Sequence, residues 1–220
     1  MPAPTHRPNP RSVLLLEGDT DVHFIQQLCN RARIARDSFS YVNKGGIDKL
    51  LNGLTTELRS SEIRQLGIVL DADSNLDTTW HAVTDRLRAV GYNDIPIVPA
   101  PEGTLLAAHA SANVAAPTVG IWLMPDNTRS GMLEDLAAQM IAAQDDLWPL
   151  AQQAVGQIEP TRRRFRPTYL RKAEVYTWLA WQDEPGTPLG LAVTRQYFHA
   201  NADVAQRFIG WLHRLFDLTP

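Results

Sequence analysis

Three uninterrupted apolar runs punctuate an otherwise mixed chain: VLLL ahead of Glu17, LGIVL ahead of Asp71 and VGIWLM ahead of Pro125. Runs of this length, rich in β-branched residues and closed by turn signals, are what strands buried on both faces produce. They predict strands over 12–16, 66–70 and 119–124. A shorter strand near 39–42 runs into the pair Gly45 and Gly46. Between the strands the apolar positions switch to helical spacing. Val22, Ile25, Leu28 and Cys29 form one stripe, Ile47, Leu50, Leu51, Leu54 and Leu58 a second, and Trp80, Val83, Leu87 and Val90 a third that stops at Gly91. Alternation of strand and helix predicts an α/β fold with a parallel sheet flanked by helices.

The pattern weakens over 93–116, where three prolines and an alanine-rich stretch predict an edge strand or hairpin with a loop. Gly131 to Ala143 reads as a helix with Leu133, Leu136, Met140 and Ile141 inward. The last third reads as mainly helical: one helix over 147–158, a basic segment TRRRFRPTYLRK, a tryptophan-rich helix, and a final helix striped by Val204, Phe208, Ile209, Leu212 and Leu215. The expected organisation is a proline-rich flexible leader over 1–11, an α/β domain over 12–145, and a helical extension over 146–220 packed on that same domain.

Composition narrows the function classes. Apolar residues make up 44% and charged residues 20%, which suits a globular protein rather than a disordered one. A net charge of -3 supplies no global attraction to nucleic acid, so contact with a polyanion would need a local basic patch or a metal ion. The single cysteine, Cys29, falls on an apolar helix stripe and points to a reducing, cytoplasmic setting. No apolar run is long enough to span a membrane.

The candidate chemistry lies where the strands end. Ligands of open parallel sheets bind at the carboxyl ends of strands, and SVLLLEGDTD and LGIVLDADSN place Glu17, Asp71 and Asp73 there. Asp21 sits one helical turn beyond Glu17. Converging carboxylates repel one another, and a hard divalent cation such as Mg²⁺ or Mn²⁺ is their natural partner. Asp126 follows the third long run, and Glu134 and Asp135 open a helix; as a reading from the residues alone, acids there also serve to complement a helix dipole.

EGDTD after a first strand paired with DAD after a third resembles the Toprim domain of primases, type II topoisomerases and overcoming-lysogenization-defect nucleases, across residues 12 to 145. The whole chain, through GIWLMPDN, GMLED, KAEVYTWLAWQDEPGTPLG and FIGWLHRLF, also looks like a family of short Toprim-related prokaryotic proteins of unknown function. The resemblance implies a Toprim-like Rossmannoid sheet, with Glu17 as general acid or base and Asp71 and Asp73 as metal ligands supported by Asp21. It further implies a second metal near Asp126, Glu134 and Asp135, and a transition-state role for Lys172. The expected activity is Mg²⁺- or Mn²⁺-dependent nuclease or nucleotidyl-transfer chemistry on phosphodiester bonds, in anti-phage defence or DNA processing.

Arg162, Arg163, Arg164, Arg166, Arg171 and Lys172 crowd one short segment with Phe165 and Tyr169 interleaved, a pattern suited to a nucleic-acid backbone and equally to a solvated, salt-bridged face. GxxxxGK[ST] is not found, so an ATPase partner would be a separate polypeptide or absent. Two other readings stay open: a Toprim-shaped module that binds metal, nucleotide or a partner without turnover, and a haloacid-dehalogenase-like phosphatase with Asp71 as nucleophile. Against the latter, LDADS stands on a third strand and carries Ser74 where threonine or valine is usual. Oligomeric state is left open by the sequence.

Overall fold

A computed structural model describes residues 11–219 apart from 109, 112 and 113, with backbone only for 110, 111, 114 and 115. The leader expected over 1–11 lies outside the described residues except for Arg11. Four parallel strands form the centre: β1 (Ser12–Leu16), β2 (Ser40–Asn43), β3 (Gln65–Asp71) and, late in the chain, β7 (Thr118–Met124). A short antiparallel edge strand, β4 (Thr104–Leu106), completes a sheet of order β2-β1-β3-β7-β4, and β5 (Ala110–Ser111) and β6 (Val114–Ala115) make a separate two-stranded hairpin. The weak pattern over 93–116 thus resolves into the edge strand and the hairpin together.

Alternation along the strands sorts the core into two halves. Val13, Leu15, Leu66, Ile68, Leu70, Val119, Ile121 and Leu123 point to the face covered by α2 (Ile47–Leu58) and α3 (Leu76–Arg88). Leu14, Leu16, Val69, Trp122 and Met124 point to the opposite face. That face is covered by α1 (Asp19–Arg31), α4 (Leu133–Gln139), α6 (Leu170–Leu179), α7 (Leu189–Thr194) and α8 (Asp203–Phe216), with α5 (Leu147–Gly156) packed against α6. Every strand residue of β1 is buried, as continuous apolar runs require.

The final helix sits directly on the middle strands because two of their residues have no side chain. A Cβ at Gly120 would stand 2.6 Å from Leu215 Cδ2, and one at Gly67 would stand 2.4 Å from Leu14 Cδ1 and 3.1 Å from Leu215 Cδ2. Trp211 of the same helix stacks at a tilt against Trp122 of β7, ring centroids 5.8 Å apart. Helix α4 is shorter than its apolar spacing suggested: it ends at Gln139, and Met140 and Ile141 enter the core from the turn that follows. No helix among the described residues is long and apolar enough to cross a membrane.

Candidate functional site

The parallel register fixes the first contact. Leu15 pairs with Ile68, so the residue that follows β1 arrives beside the end of β3. Glu17 Oε1 there accepts a hydrogen bond from the backbone N–H of Asp71 at 2.7 Å. Asp71 in turn reaches across to α4, its Oδ1 accepting from the Leu133 N–H at 3.0 Å, an otherwise unpaired donor at the start of that helix. One turn into α1, Asp21 faces the same space and feels the charges of Glu134 and Lys172. Segments far apart in sequence therefore meet at the strand ends.

Charge repulsion and burial leave a mark on each acid. Burial is the largest influence on Glu17 and pushes it up to about 7; the Asp71 N–H works against this, while Asp21 and Asp73 add to it. Burial likewise raises Asp21 to about 6, with Glu134 contributing in the same direction. For Asp71 burial again leads, and Asp21, Glu17, Glu134 and Asp73 all push its pKa further above the ordinary carboxylate range. Asp73 is raised by burial and stands in left-handed backbone, φ 49°, bridged to Gly131. For each of these acids the backbone donors and the one nearby cation compensate the charged form less than burial penalises it.

One cation faces them. Lys172 Nζ lies 2.8 Å from Oε1 of Glu134, which is itself buried on α4. Burial works to lower the lysine pKa, but the hydrogen bond and charge of Glu134 outweigh it and raise it, with Asp71 adding further. Lys172 also stands about equally far from two rings, 6.0 Å from the Tyr169 centroid and 5.9 Å from that of Tyr176. Tyr176 escaped the reading of the sequence, although its place four residues after Lys172 on α6 puts it on the same helix face.

Two of the acids expected at the site are held by partners of their own. Asp126 belongs to a self-contained turn: Oδ1 accepts from the Thr128 N–H at 3.1 Å and hydroxyl at 2.7 Å, and Oδ2 from Arg129 Nε at 2.8 Å and Gln139 at 3.3 Å. Burial would raise its pKa, yet these donors win and lower it. Asp135 closes its own helix start by accepting from the Met132 N–H at 2.9 Å and pairs with Arg171 at 3.3 Å. Of the two adjacent acids of α4, Glu134 is the one directed at the cluster.

The basic segment divides in the same way. Arg171 is held by Asp135 and, at 2.6 Å, by Glu174, with its guanidinium 5.6 Å from the Trp148 ring centre. Arg163 donates to the carbonyl of Ile158 at 2.9 Å and lies over Phe165. Arg162, Arg164 and Arg166 are exposed and form no ion pair among the described residues. A cleft of about 240 Å³ runs between Asp73, Ser130, Gly131 and Asp135 on one side and Thr168, Leu170, Arg171 and Glu174 on the other, which brings the segment leading into α6 against the strand ends.

The donor chemistry fits a hard divalent cation, since carboxylate oxygens with unrelieved mutual repulsion are what such an ion neutralises. Among the described residues, however, no group of three or more His, Cys, Asp or Glu side chains is arranged to hold an ion as it stands. Mg²⁺ ordinarily takes one or two protein carboxylates and keeps several waters, so a closed protein cage is not a requirement.

Comparison with known proteins assigns the family. A family model described as "Protein of unknown function (DUF3226)" matches residues 11–217. The chain belongs to that family. No curated protein matches. Among solved structures, the C-terminal region of the OLD protein of Xanthomonas campestris pv. campestris aligns over 94% of this chain and 90% of its own, at 15% sequence identity and a TM-score of 0.38.

Proposed function

We propose that this DUF3226 protein is a metal-dependent enzyme of the Toprim type that its motifs resemble, acting on phosphodiester bonds of nucleic acid. The observation that carries this reading is the meeting of Glu17, Asp21, Asp71 and Glu134 from three separate segments beside Lys172, with burial and mutual repulsion raising the first three. Acids whose pKa values are raised by burial and by one another, gathered at strand ends, are a mark of functional sites. Asp71, Asp73 and Asp21 would hold Mg²⁺ or Mn²⁺. When bound, such an ion supplies Lewis-acid polarisation of the phosphoryl group and acidifies water.

The chain's own groups then have distinct parts. Glu17, with a pKa of about 7, exchanges its proton at neutral pH, so it can take a proton from an attacking hydroxyl or return one to a leaving oxygen. Lys172 keeps its charge because Glu134 fixes it, and it opposes the negative charge that grows on the phosphoryl oxygens.

The test is a cleavage assay on labelled DNA and RNA with Mg²⁺ or Mn²⁺, with Glu17→Gln and Asp71→Asn beside the parent protein. Metal-dependent cleavage lost in both variants supports the reading. Metal binding measured by calorimetry without any cleavage would replace it with the non-catalytic module. An aspartyl-phosphate analogue trapped on Asp71 would favour the phosphatase.

A further inference from the structure

Beside the acids, α6 and the 3-10 turn that leads into it (Pro167–Tyr169) carry two rings that the chemistry above does not use. Tyr169 ends that turn and Tyr176 lies four residues after Lys172 on α6, and the three form a short row in which the lysine nitrogen stands 6.0 and 5.9 Å from the ring centres. The lysine between the two rings is tethered to Glu134, so the row is anchored at its middle to the edge of the carboxylate cluster. Both residues are exposed, Tyr169 at 40% and Tyr176 at 39% of their surface. Tyrosines in this position offer an apolar ring and a polar tip to a partner.

Upstream of the row the chain carries the exposed Arg162, Arg164 and Arg166, and Thr168 and Leu170 wall the cleft that leads to Asp73. Cations that follow a backbone, with aromatic faces that follow bases, are the two components of single-strand binding. In a duplex the base faces are already stacked on one another and only the edges and backbone are offered. A ring platform therefore selects strands whose bases are free.

We infer that Tyr169 and Tyr176 are a stacking platform for the unpaired bases of single-stranded nucleic acid, on either side of the phosphate that Lys172 meets. This rests on the phosphodiester reading for its last phosphate contact, and it names the form of the substrate: a single strand, not a duplex. Glu134, Asp71 and Asp21 are negative groups facing the same lysine, and they set the row beside the strand ends instead of out on the surface.

The test measures binding apart from turnover. Anisotropy of fluorescein-labelled oligodeoxythymidine, oligouridine and a mixed-sequence DNA duplex is followed in EDTA at low salt, with the full chain. Either single strand is expected to bind at least about tenfold more tightly than the duplex. Tyr169→Ala and Tyr176→Ala are each expected to weaken single-strand binding roughly five- to hundredfold, as loss of one stacked base does. Tyr→Phe at either position is expected to restore it, which separates stacking from the loss of a fold. Equal affinity for single and double strands, or alanine variants that fold by circular dichroism and bind like the parent, overturns the platform. Failure of the enzymatic reading looks different: single strands still bind and still depend on the rings, but Mg²⁺ or Mn²⁺ brings no cleavage.

Discussion

β3 and β7 lie side by side in register, Asp71 opposite Met124, and each is followed at the same edge of the sheet by an acid, yet the two acids have opposite characters. Asp126, beyond β7, is met by the Thr128 N–H and hydroxyl, by Arg129 and by Gln139, and its pKa falls. Asp71, closing β3, is met by one N–H of α4 and four other acids, and its pKa rises. Position at a strand end is shared; supply of donors is not. A carboxylate with its own donors holds a turn together, whereas one without them is left to whatever cation or proton arrives from solution.

The sharpest way to break this contrast is to remove the charge from each acid in turn. Asp71→Asn is expected to lower cleavage by about a thousandfold, the scale on which electrostatic groups at phosphoryl-transfer centres act, while leaving thermal stability unchanged or improved at pH 8. Asp126→Asn should do the reverse, keeping activity within a few-fold in the same assay. Cleavage that survives Asp71→Asn would remove the distinction altogether.

The next effect is on stability against pH. Glu17 and Asp21 have folded pKa values of about 7 and about 6, above the ordinary 4.5 and 3.8. A raised value means that folding favours the protonated form. Their contribution is therefore complete below about pH 4 and is lost as pH climbs through 6 and 7. For either acid alone the loss is on the order of 3 kcal/mol. Metal-free protein should melt several degrees lower at pH 8 than at pH 5 by differential scanning fluorimetry, and Glu17→Gln should flatten that slope. Added Mg²⁺ should raise the melting point more at pH 8 than at pH 5, because protons compete for the same oxygens. A melting point that rises from pH 5 to pH 8 without metal would contradict the raised values.

Asp126→Ala comes third. It removes the buried acceptor that the Thr128 N–H and hydroxyl, Arg129 and Gln139 share, and about 2 kcal/mol of stability should go, or roughly 4–8 °C in melting temperature. Smallest of all is Arg129→Ala. That side chain is more than half exposed, so its pair with Asp126 contributes under about 1 kcal/mol. A large loss from Arg129→Ala would show that the turn depends on charge more than on its hydrogen bonds.

How much of this could be read from the chain depends on the range of the forces involved. β1, β3 and β7 were legible because burial on both faces writes an apolar run that needs no knowledge of the partner strand. Glu17 and Asp71 were legible as neighbours for a related reason: parallel strands start level, so their ends arrive together. Which acid of the pair Glu134 and Asp135 would face inward was not legible. That choice depends on where α4 begins, and its first N–H groups are capped partly by Asp135 within the helix and partly by Asp71 from another strand. Asp126 misled for a similar reason, since Gln139, one of its partners, comes from the end of α4. Lys172 came from resemblance alone; its tether to Glu134 crosses between two helices and leaves no local pattern. The stripe of α8 was plain, but its seat on Gly67 and Gly120 was not, because an absent side chain signals nothing about what fills the space.

That seat has a consequence for how sequences with this fold can drift. Leu215 occupies the volume that a side chain at position 120 would take, while position 67 is closed first by Leu14 of the neighbouring strand. Enlarging Gly120 requires trimming the leucine in the same step, and those two changes are expected to be tolerated only as a pair.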